Sequence, residues 1–354
     1  MIKVAINGYG RIGRIAHRVI LERFTEQIDL VAINGGSSTD IQGWAYLLKY
    51  DTAYGILKDH AVSCEQQTEN SQEIPKLLGN LIIDSNKIPF YAEKNPEMLP
   101  WKKHDVDVVL ECTGVFTTAD KIAGHLKAGA EKVILSAPAK DSTVRTYVLG
   151  VNLDPAATTE QIVSNASCTT NCIAPVAQVI SEKFGVEKAM MTTVHSYTSD
   201  QELQDGGHKD YRRARAAAQN IVPTTTGATR AAAETVPELA GLFTGLSIRV
   251  PTIVGSLSDF TFVLKRDTTK EEVNQVLTEA ARSERYRNIL EVTTDPLVSS
   301  DVIRNPHSAI VDLSLTDVVG GNLLKVIAWY DNEWGYTNRL IEEVILVGQR
   351  GSRA

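Results

Sequence analysis

Apolar and polar positions along the chain switch between two periods, and the switches mark out its elements. Residues 2–7 (IKVAIN) form a short β-rich run, Gly8 to Gly13 interrupt it, and Ile15, Val19 and Ile20 recur at helical spacing before residues 30–34 (LVAIN) resume β character. The predicted order is strand, turn, helix, strand. Further β-like runs at 106–110 and 132–136, with the helical KIAGHLKAGA between them, continue the alternation expected of a parallel sheet covered by helices. Residues 51–100 fit neither period and are expected to be hairpins and loops inserted in that sheet. After about residue 150, long β segments at 190–197, 247–252, 259–265, 309–313 and 323–329 predict a mixed or antiparallel sheet. A helix is expected to start near Thr268 or Thr269, each followed three residues later by Glu, with Val273, Val276, Leu277 and Ala280 on one face. The last helix, through Tyr336, Leu340, Val344 and Val347, is expected to dock back on the first domain. The predicted division is therefore a first domain of residues 1–167, joined by a C-terminal helix of 335–354, and a second domain of 168–334.

Composition narrows the function without naming it. With 354 residues the chain can build two hydrophobic cores. Hydrophobic residues at 43% and charged residues at 22% describe an ordinary soluble globular protein. A net charge of -7 offers no field for nucleic acid, and no apolar run approaches the roughly 20 residues that cross a bilayer. The N-terminus runs straight into a glycine-rich turn without a signal-peptide core, so a cytoplasmic location is expected. Four cysteines, Cys64, Cys112, Cys168 and Cys172, contain no C-x-x-C pair and read as free thiols, with no metal site expected.

Gly8-Tyr9-Gly10-Arg11-Ile12-Gly13 matches G-x-G-x-x-G directly after a predicted strand and at the start of a helix. Its glycines allow a tight turn, close approach of a pyrophosphate and close helix packing, while the helix N-terminus attracts the anion. The first domain is thus expected to be a Rossmann-type doubly wound sheet, and the whole chain α/β with an α+β second domain. The acid expected about 20 residues on, which would hold the adenosine ribose, is missing. Asn34-Gly35-Gly36-Ser37-Ser38 stands there instead.

Residues 164–172 (SNASCTTNC) are dense in small polar residues and precede an apolar helical pattern, so Cys168 is expected at or near a helix N-terminus, with Pro175 leaving the exact start open. Unpaired N–H groups there would stabilise a thiolate or an oxyanion, which makes Cys168 a candidate nucleophile. Cys172, one turn deeper, reads as a core residue. His195, in an alternating β run, would complete a Cys–His couple in which imidazole carries protons.

Over nearly its whole length the chain resembles the glyceraldehyde-3-phosphate dehydrogenase family. The resemblance rests on residues 7–14 (NGYGRIGR), 47–51 (LLKYD), 111–114 (ECTG), 164–171 (SNASCTTN), 195–198 (HSYT), 249–252 (RVPT) and 329–336 (WYDNEWGY). It implies that Cys168 attacks an aldehyde, that His195 is the base, and that phosphate releases a thioester as an acyl phosphate. It further implies that Thr198 and Arg249 bind the substrate phosphate, that Ser167, Thr226 and Gly227 hold the attacking phosphate, and that Arg213 helps to bind anions. Asn332 would hold the nicotinamide carboxamide beside Tyr336, and Arg11, Ile12, Asn34, Gly35, Ser37, Ser38, Thr113 and Ser136 would join the three glycines around NAD or NADP. The expected substrate is glyceraldehyde 3-phosphate and the expected assembly a homotetramer. Residues 295–299 and 305–308 are somewhat similar to erythrose-4-phosphate dehydrogenases, which leaves a four-carbon aldehyde as an alternative substrate; a non-catalytic dinucleotide-binding protein is the alternative of another class. NAD-specific family members carry Asp where this chain has Gly35, so glycine is expected to remove a repulsion, open room for a 2′-phosphate and permit both cofactors.

Overall fold

The computed structural model describes residues 1–67, 75–153 and 159–348. The last six residues of the expected C-terminal helix, 349–354, lie outside them. Among the described residues the chain divides into two compact units, one of Met1–Thr146 with 159–165 and 340–348, the other of Tyr147–Leu153 with Ala166–Arg339.

The first unit begins with β1 (Ile2–Asn7), α1 (Arg11–Val19) and β2 (Ile28–Asn34), the predicted strand, helix, strand. Directly after α1, Ile20–Phe24 form a π-helical turn, a wider winding than the α-helix it continues. Then follow α2 (Ile41–Lys49), the short hairpin β3 (Tyr50–Asp51) and β4 (Gly55–Ile56), and β5 (Val62–Gln66), β6 (Lys76–Ile83) and β7 (Asn86–Ala92). The unit continues through β8 (Val108–Glu111), α3 (Ala119–Lys127), β9 (Lys132–Leu135), β10 (Arg145–Thr146) and β11 (Ile162–Ser164). One nine-stranded sheet runs in the order β10-β11-β9-β8-β1-β2-β7-β6-β5. It is parallel from β10 to β7, and β5 and β6 extend its edge antiparallel. The polar stretch at 51–100 thus supplies the hairpin β6–β7, whose second strand joins the parallel sheet. Val4, Ala5 and Ile6 are wholly buried, as strands covered on both faces require. Because β1 lies between β2 and β8 at the point where strand order reverses, Asn7 stands level with Asn34 and Glu111, and three strand ends meet where such sheets bind ligands.

The second unit holds α4 (Cys168–Phe184), β12 (Val186–Ser196), β13 (Val222–Thr225), α5 (Ala228–Thr235), β14 (Phe243–Val250), β15 (Ser256–Leu264) and α6 (Lys270–Arg282). After these come β16 (Leu290–Thr293), β17 (Ala309–Asp312), β18 (Asp317–Val319), β19 (Leu323–Tyr330) and α7 (Trp334–Gly348), the last crossing into the first unit from Leu340. Its mixed sheet runs β13-β14-β12-β15-β19-β17-β16, with β18 beside β19. Burial alternates along β15 and β19, and α4 packs against β12, β15, β17 and β19. Thr269 is the cap of α6, its hydroxyl accepting from Glu272 N–H at 3.2 Å, and Val273 and Leu277 are the buried positions of the expected face.

Candidate active site

Cys168 is the first residue of α4, so the unpaired N–H groups of the helix start surround its thiol. Ser167 caps the helix, its hydroxyl accepting from Thr170 N–H at 3.1 Å, and Ala166 just before it takes a left-handed φ of 57° that turns the chain into the helix. Pro175 lies inside α4, beyond the first turn. His195, near the end of β12, pairs in register with Arg249 of β14. Its Nε2 is 3.4 Å from Cys168 Sγ, and its Nδ1 is 2.6 Å from the Ser196 carbonyl oxygen. That oxygen can only accept, so Nδ1 carries the hydrogen and Nε2 turns its lone pair to the thiol. Arg249 stands 3.1 Å from Nδ1 and donates to the Ser196 carbonyl at 3.2 Å and Thr198 Oγ1 at 3.4 Å.

Burial, then the charge of Arg249, holds the His195 pKa down to about 3, against the opposing pull of the Ser196 carbonyl. Burial raises the Cys168 thiol above its ordinary range; Arg249, the Thr169 hydroxyl and the N–H groups of Thr169 and Cys168 oppose that rise without cancelling it. Burial thus weighs against the charged form of both groups. That opposes the stabilisation of a thiolate expected from the helix terminus, which leaves out desolvation.

The anion-binding candidates fall into distinct places. Thr198 and Arg249 share a hydrogen bond beside His195. Thr226 and Gly227 stand at the N-terminus of α5, where Thr226 Oγ1 accepts from Ala228 N–H at 3.1 Å and a side chain added at Gly227 would meet nothing within 4 Å. Ser167 uses its hydroxyl on the cap of α4. Arg213 is tied down by Asp200, by Asp210 at 3.4 Å and by Thr224 Oγ1 at 3.0 Å, so its charge is largely matched within the protein. Asn332 accepts from Gly255 N–H at 3.1 Å and Ser256 Oγ at 3.0 Å, which fixes its amide with Nδ2 as the outward donor. Tyr336 donates to the Ala166 carbonyl at 3.3 Å.

In the first unit the three motif glycines do different work. A Cβ at Gly8, where φ is 94°, would strike Thr113 N at 2.7 Å, and one at Gly13 would strike Gly8 O at 2.2 Å. At Gly10 it would meet nothing within 4 Å, so Gly10 keeps open the approach to the start of α1. The first turn of α1 holds no acidic residue and no capping side chain, a start that fits a pyrophosphate. Arg11 turns its guanidinium to Asp51, and Ile12 is half-buried. Thr113 N–H donates to Glu111 at 2.8 Å, and Ser136 hydrogen-bonds the Cys112 thiol, which burial pushes up to about 12. Asn34 spends both amide hydrogens inward, on Asn7 Oδ1 at 2.7 Å and the Glu93 carbonyl at 2.8 Å, and is buried; it braces the strand ends and has no donor left for a ligand. Ser37 is exposed, and Ser38 Oγ accepts from Trp44 Nε1 at 2.8 Å. A Cβ at Gly35 would lie 2.7 Å from the Phe90 ring and 3.3 Å from Trp44 Nε1. Gly35 therefore does not open room, as the sequence suggested: the two aromatic side chains already fill the space.

The family model described as "Glyceraldehyde 3-phosphate dehydrogenase, NAD binding domain" matches residues 2–119, and "Glyceraldehyde 3-phosphate dehydrogenase, C-terminal domain" matches residues 167–332. The chain belongs to the glyceraldehyde-3-phosphate dehydrogenase family. It is 49% identical over 341 residues to the glyceraldehyde-3-phosphate dehydrogenase of Zymomonas mobilis, covering 96% of this chain and 97% of that one. Identity is 47% over 352 residues with that of Mycobacterium leprae (98% and 99% covered) and 45% over 350 with glyceraldehyde-3-phosphate dehydrogenase 2 of Bacillus subtilis (99% and 97%).

Two supporting groups in this family member have roles that sequence reasoning does not assign. Tyr330 places its hydroxyl 3.0 Å from Thr169 Oγ1 and 2.9 Å from Thr193 Oγ1, its ring edge-on to His195, and so ties α4, β12 and β19 together behind the cysteine. Glu111 accepts from Asn7 Nδ2 at 2.5 Å and His125 Nε2 at 3.0 Å, while Trp101 Nε1 donates to His125 Nδ1 at 2.9 Å and fixes that tautomer. Both lie in motifs that carry the family resemblance, 111–114 and 329–336, yet nothing local in the sequence shows what their side chains hold.

Proposed function

We propose that the chain is a phosphorylating glyceraldehyde-3-phosphate dehydrogenase, converting glyceraldehyde 3-phosphate and inorganic phosphate to 1,3-bisphosphoglycerate. The observation that carries this reading is the 3.4 Å approach of Cys168 Sγ to a His195 whose tautomer is fixed to accept a proton, with Arg249 alongside. His195 Nε2 takes the thiol proton as sulfur bonds to the aldehyde carbon, and the N–H groups at the start of α4 hold the oxygen of the thiohemiacetal. Arg249 and Thr198 bind the substrate's phosphate, and the fork of Arg249 suits that anion. The Gly8–Gly13 turn would hold the pyrophosphate of a nicotinamide dinucleotide, Asn332 and Tyr336 are the residues proposed for its nicotinamide, and when bound it would supply the hydride acceptor for oxidation of the thiohemiacetal to a thioester. Thr226 and Gly227, at the start of α5, orient inorganic phosphate for release of the acyl group, and His195 again handles the proton.

Alongside NAD we propose use of NADP. Support comes from the missing carboxylate at Gly35 and from the exposed Ser37, whose hydroxyl and N–H can donate to a 2′-phosphate. We also propose a cytoplasmic homotetramer. A catalytic thiol favours a reducing compartment, and exposed Met190, Leu246 and Leu323 on the second sheet offer an apolar face to a second copy. Initial rates with three- and four-carbon aldehyde phosphates, each cofactor, and with or without phosphate test the assignment. Phosphate-dependent reduction with the three-carbon aldehyde is expected, and turnover that ignores phosphate would overturn it.

A further inference from the structure

At the opposite end of β1 and β2 from the dinucleotide turn lies a cavity of about 280 Å³. Its apolar walls are Ile28 and Leu30 of β2, Ile83 and Ile88 of the β6–β7 hairpin, and Ile20 and Leu21 of the π-helical turn. Such windings are frequently found at functional positions, and nothing in the dehydrogenase reaction uses this one.

The cavity contains a buried polar group with a fixed direction. His17, on α1, is 1% exposed and lines the cavity, and its Nδ1 is 2.6 Å from the Tyr9 hydroxyl. Tyr9 is buried too, and among the described residues its hydroxyl has no other partner, so the phenol must donate to Nδ1. The imidazole hydrogen therefore sits on Nε2, where the described residues provide no acceptor. Burial, with the charge of His60, holds the His17 pKa down to about 3, so the ring remains a neutral single donor. At the rim His60 Nδ1 meets Asp84 Oδ2 at 2.9 Å, and Asp29 adds a second carboxylate. Two acids against one imidazole disfavour an anion. The volume lies at the lower end for small-molecule pockets, which start near about 300 Å³.

We propose that this cavity binds a small, neutral, largely apolar molecule with one hydrogen-bond acceptor, a ring nitrogen or a carbonyl, and that its occupant changes dinucleotide affinity. The acceptor meets His17 Nε2–H while the apolar body fills the space between sheet and π turn. The connection to the cofactor is short. Tyr9 sits between Gly8 and Gly10 of the turn, its ring edge-on to Phe90 and Trp44 at 5.5 Å and 6.0 Å between centroids, and α1 runs unbroken from that turn to His17.

Quinoline is a suitable probe, neutral above pH 7 with one ring nitrogen, and naphthalene has the same shape without the acceptor. Calorimetric titration of the full chain is expected to show one quinoline site, with naphthalene at least about tenfold weaker, the scale of one hydrogen bond to a buried donor. Leu21→Trp, which fills the cavity from its rim, is expected to abolish quinoline binding while NAD still binds. His17→Phe is expected to erase the preference for quinoline; should it fail to fold, the naphthalene comparison reads the same donor. Quinoline is expected to shift the NAD dissociation constant at least about threefold, with NAD shifting quinoline by the same factor, since coupling is reciprocal. Absent binding, equal binding of naphthalene, unchanged binding to Leu21→Trp, outright displacement by NAD, or an unmoved NAD affinity would each overturn the proposal.

Discussion

Cys168 could be picked out from sequence because its signal is local: small polar residues followed by an apolar helix can be read without knowing what packs around them. The balance of forces on its thiol could not, since burial and the charge of Arg249, far off in sequence, oppose each other there. Two outcomes follow at this scale. Among the four thiols, Cys168 is expected to react first with iodoacetamide, because His195 Nε2 at 3.4 Å can take its proton as sulfur attacks, whereas burial pushes Cys112 up to about 12 and Cys172 higher still, and burial with the Asp40 charge raises Cys64; peptide mapping after brief labelling checks the order. His195→Asn is expected to slow acylation by about 10²–10⁴-fold while barely moving NAD binding, as stopped-flow rates and a binding titration would show. Asn34 shows how a side chain's partners escape a local pattern. A strand-end asparagine beside a nucleotide turn suggests a ligand contact, yet both its donors point inward, a fact set by Asn7 and Glu93.

Elements with a strong period were the most legible. The turn from β1 into α1, the cap of α6 and the long strands of the second sheet all follow from spacing, whereas β5 to β7 did not, because their pairing is fixed by an edge that sequence does not reveal. The nucleotide turn gives a graded test of its three glycines. Gly13→Ala is expected to cost about 1–3 kcal/mol of stability, since the new methyl overlaps the Gly8 carbonyl. Gly10→Ala should fold normally and lose at least about tenfold in NAD affinity, because its space is free for a ligand. Thermal melts and NAD titrations of the two variants should therefore give opposite patterns, and equal losses in both would show that the glycines share one role. Cofactor choice belongs to the same scale. Gly35→Asp alone must displace Phe90 and is expected to lower stability, so the turn toward NAD is expected only when Phe90→Leu makes room; NAD-to-NADP efficiency ratios of the single and double variants check this.

For the whole molecule, the doubly wound sheet and the mixed sheet were both foreseeable from the change of period near residue 150, but the buried acid on α7 was not. Glu343 is wholly buried, with Asn165 turned to donate to its Oε2 at 3.1 Å and its Oε1 unpaired among the described residues, and burial raises its pKa to about 8. The folded chain then holds a proton that the unfolded chain releases above the ordinary carboxylate range of about 4.3. The resulting stability is fully present below that range and declines as pH rises toward about 8, by about 1.4 kcal/mol per unit. Glu343→Gln is expected to remove this decline and to stabilise the protein most at the alkaline end, as denaturation midpoints at pH 5, 7 and 9 would reveal.

The bond from Trp44 Nε1 to Ser38 Oγ gives this protein an intrinsic optical reporter. Indole emission responds to the partner of its N–H and to nearby water, and Trp44 is half-buried, as Trp329 is, whereas Trp101 and Trp334 are shut away. A 2′-phosphate that recruited Ser38 would loosen that bond and shift the emission to longer wavelength, while a cofactor lacking the phosphate would leave it in place. Spectra of the wild type minus those of Trp44→Phe isolate the signal, so NAD and NADP can be told apart by colour at equilibrium, without turnover.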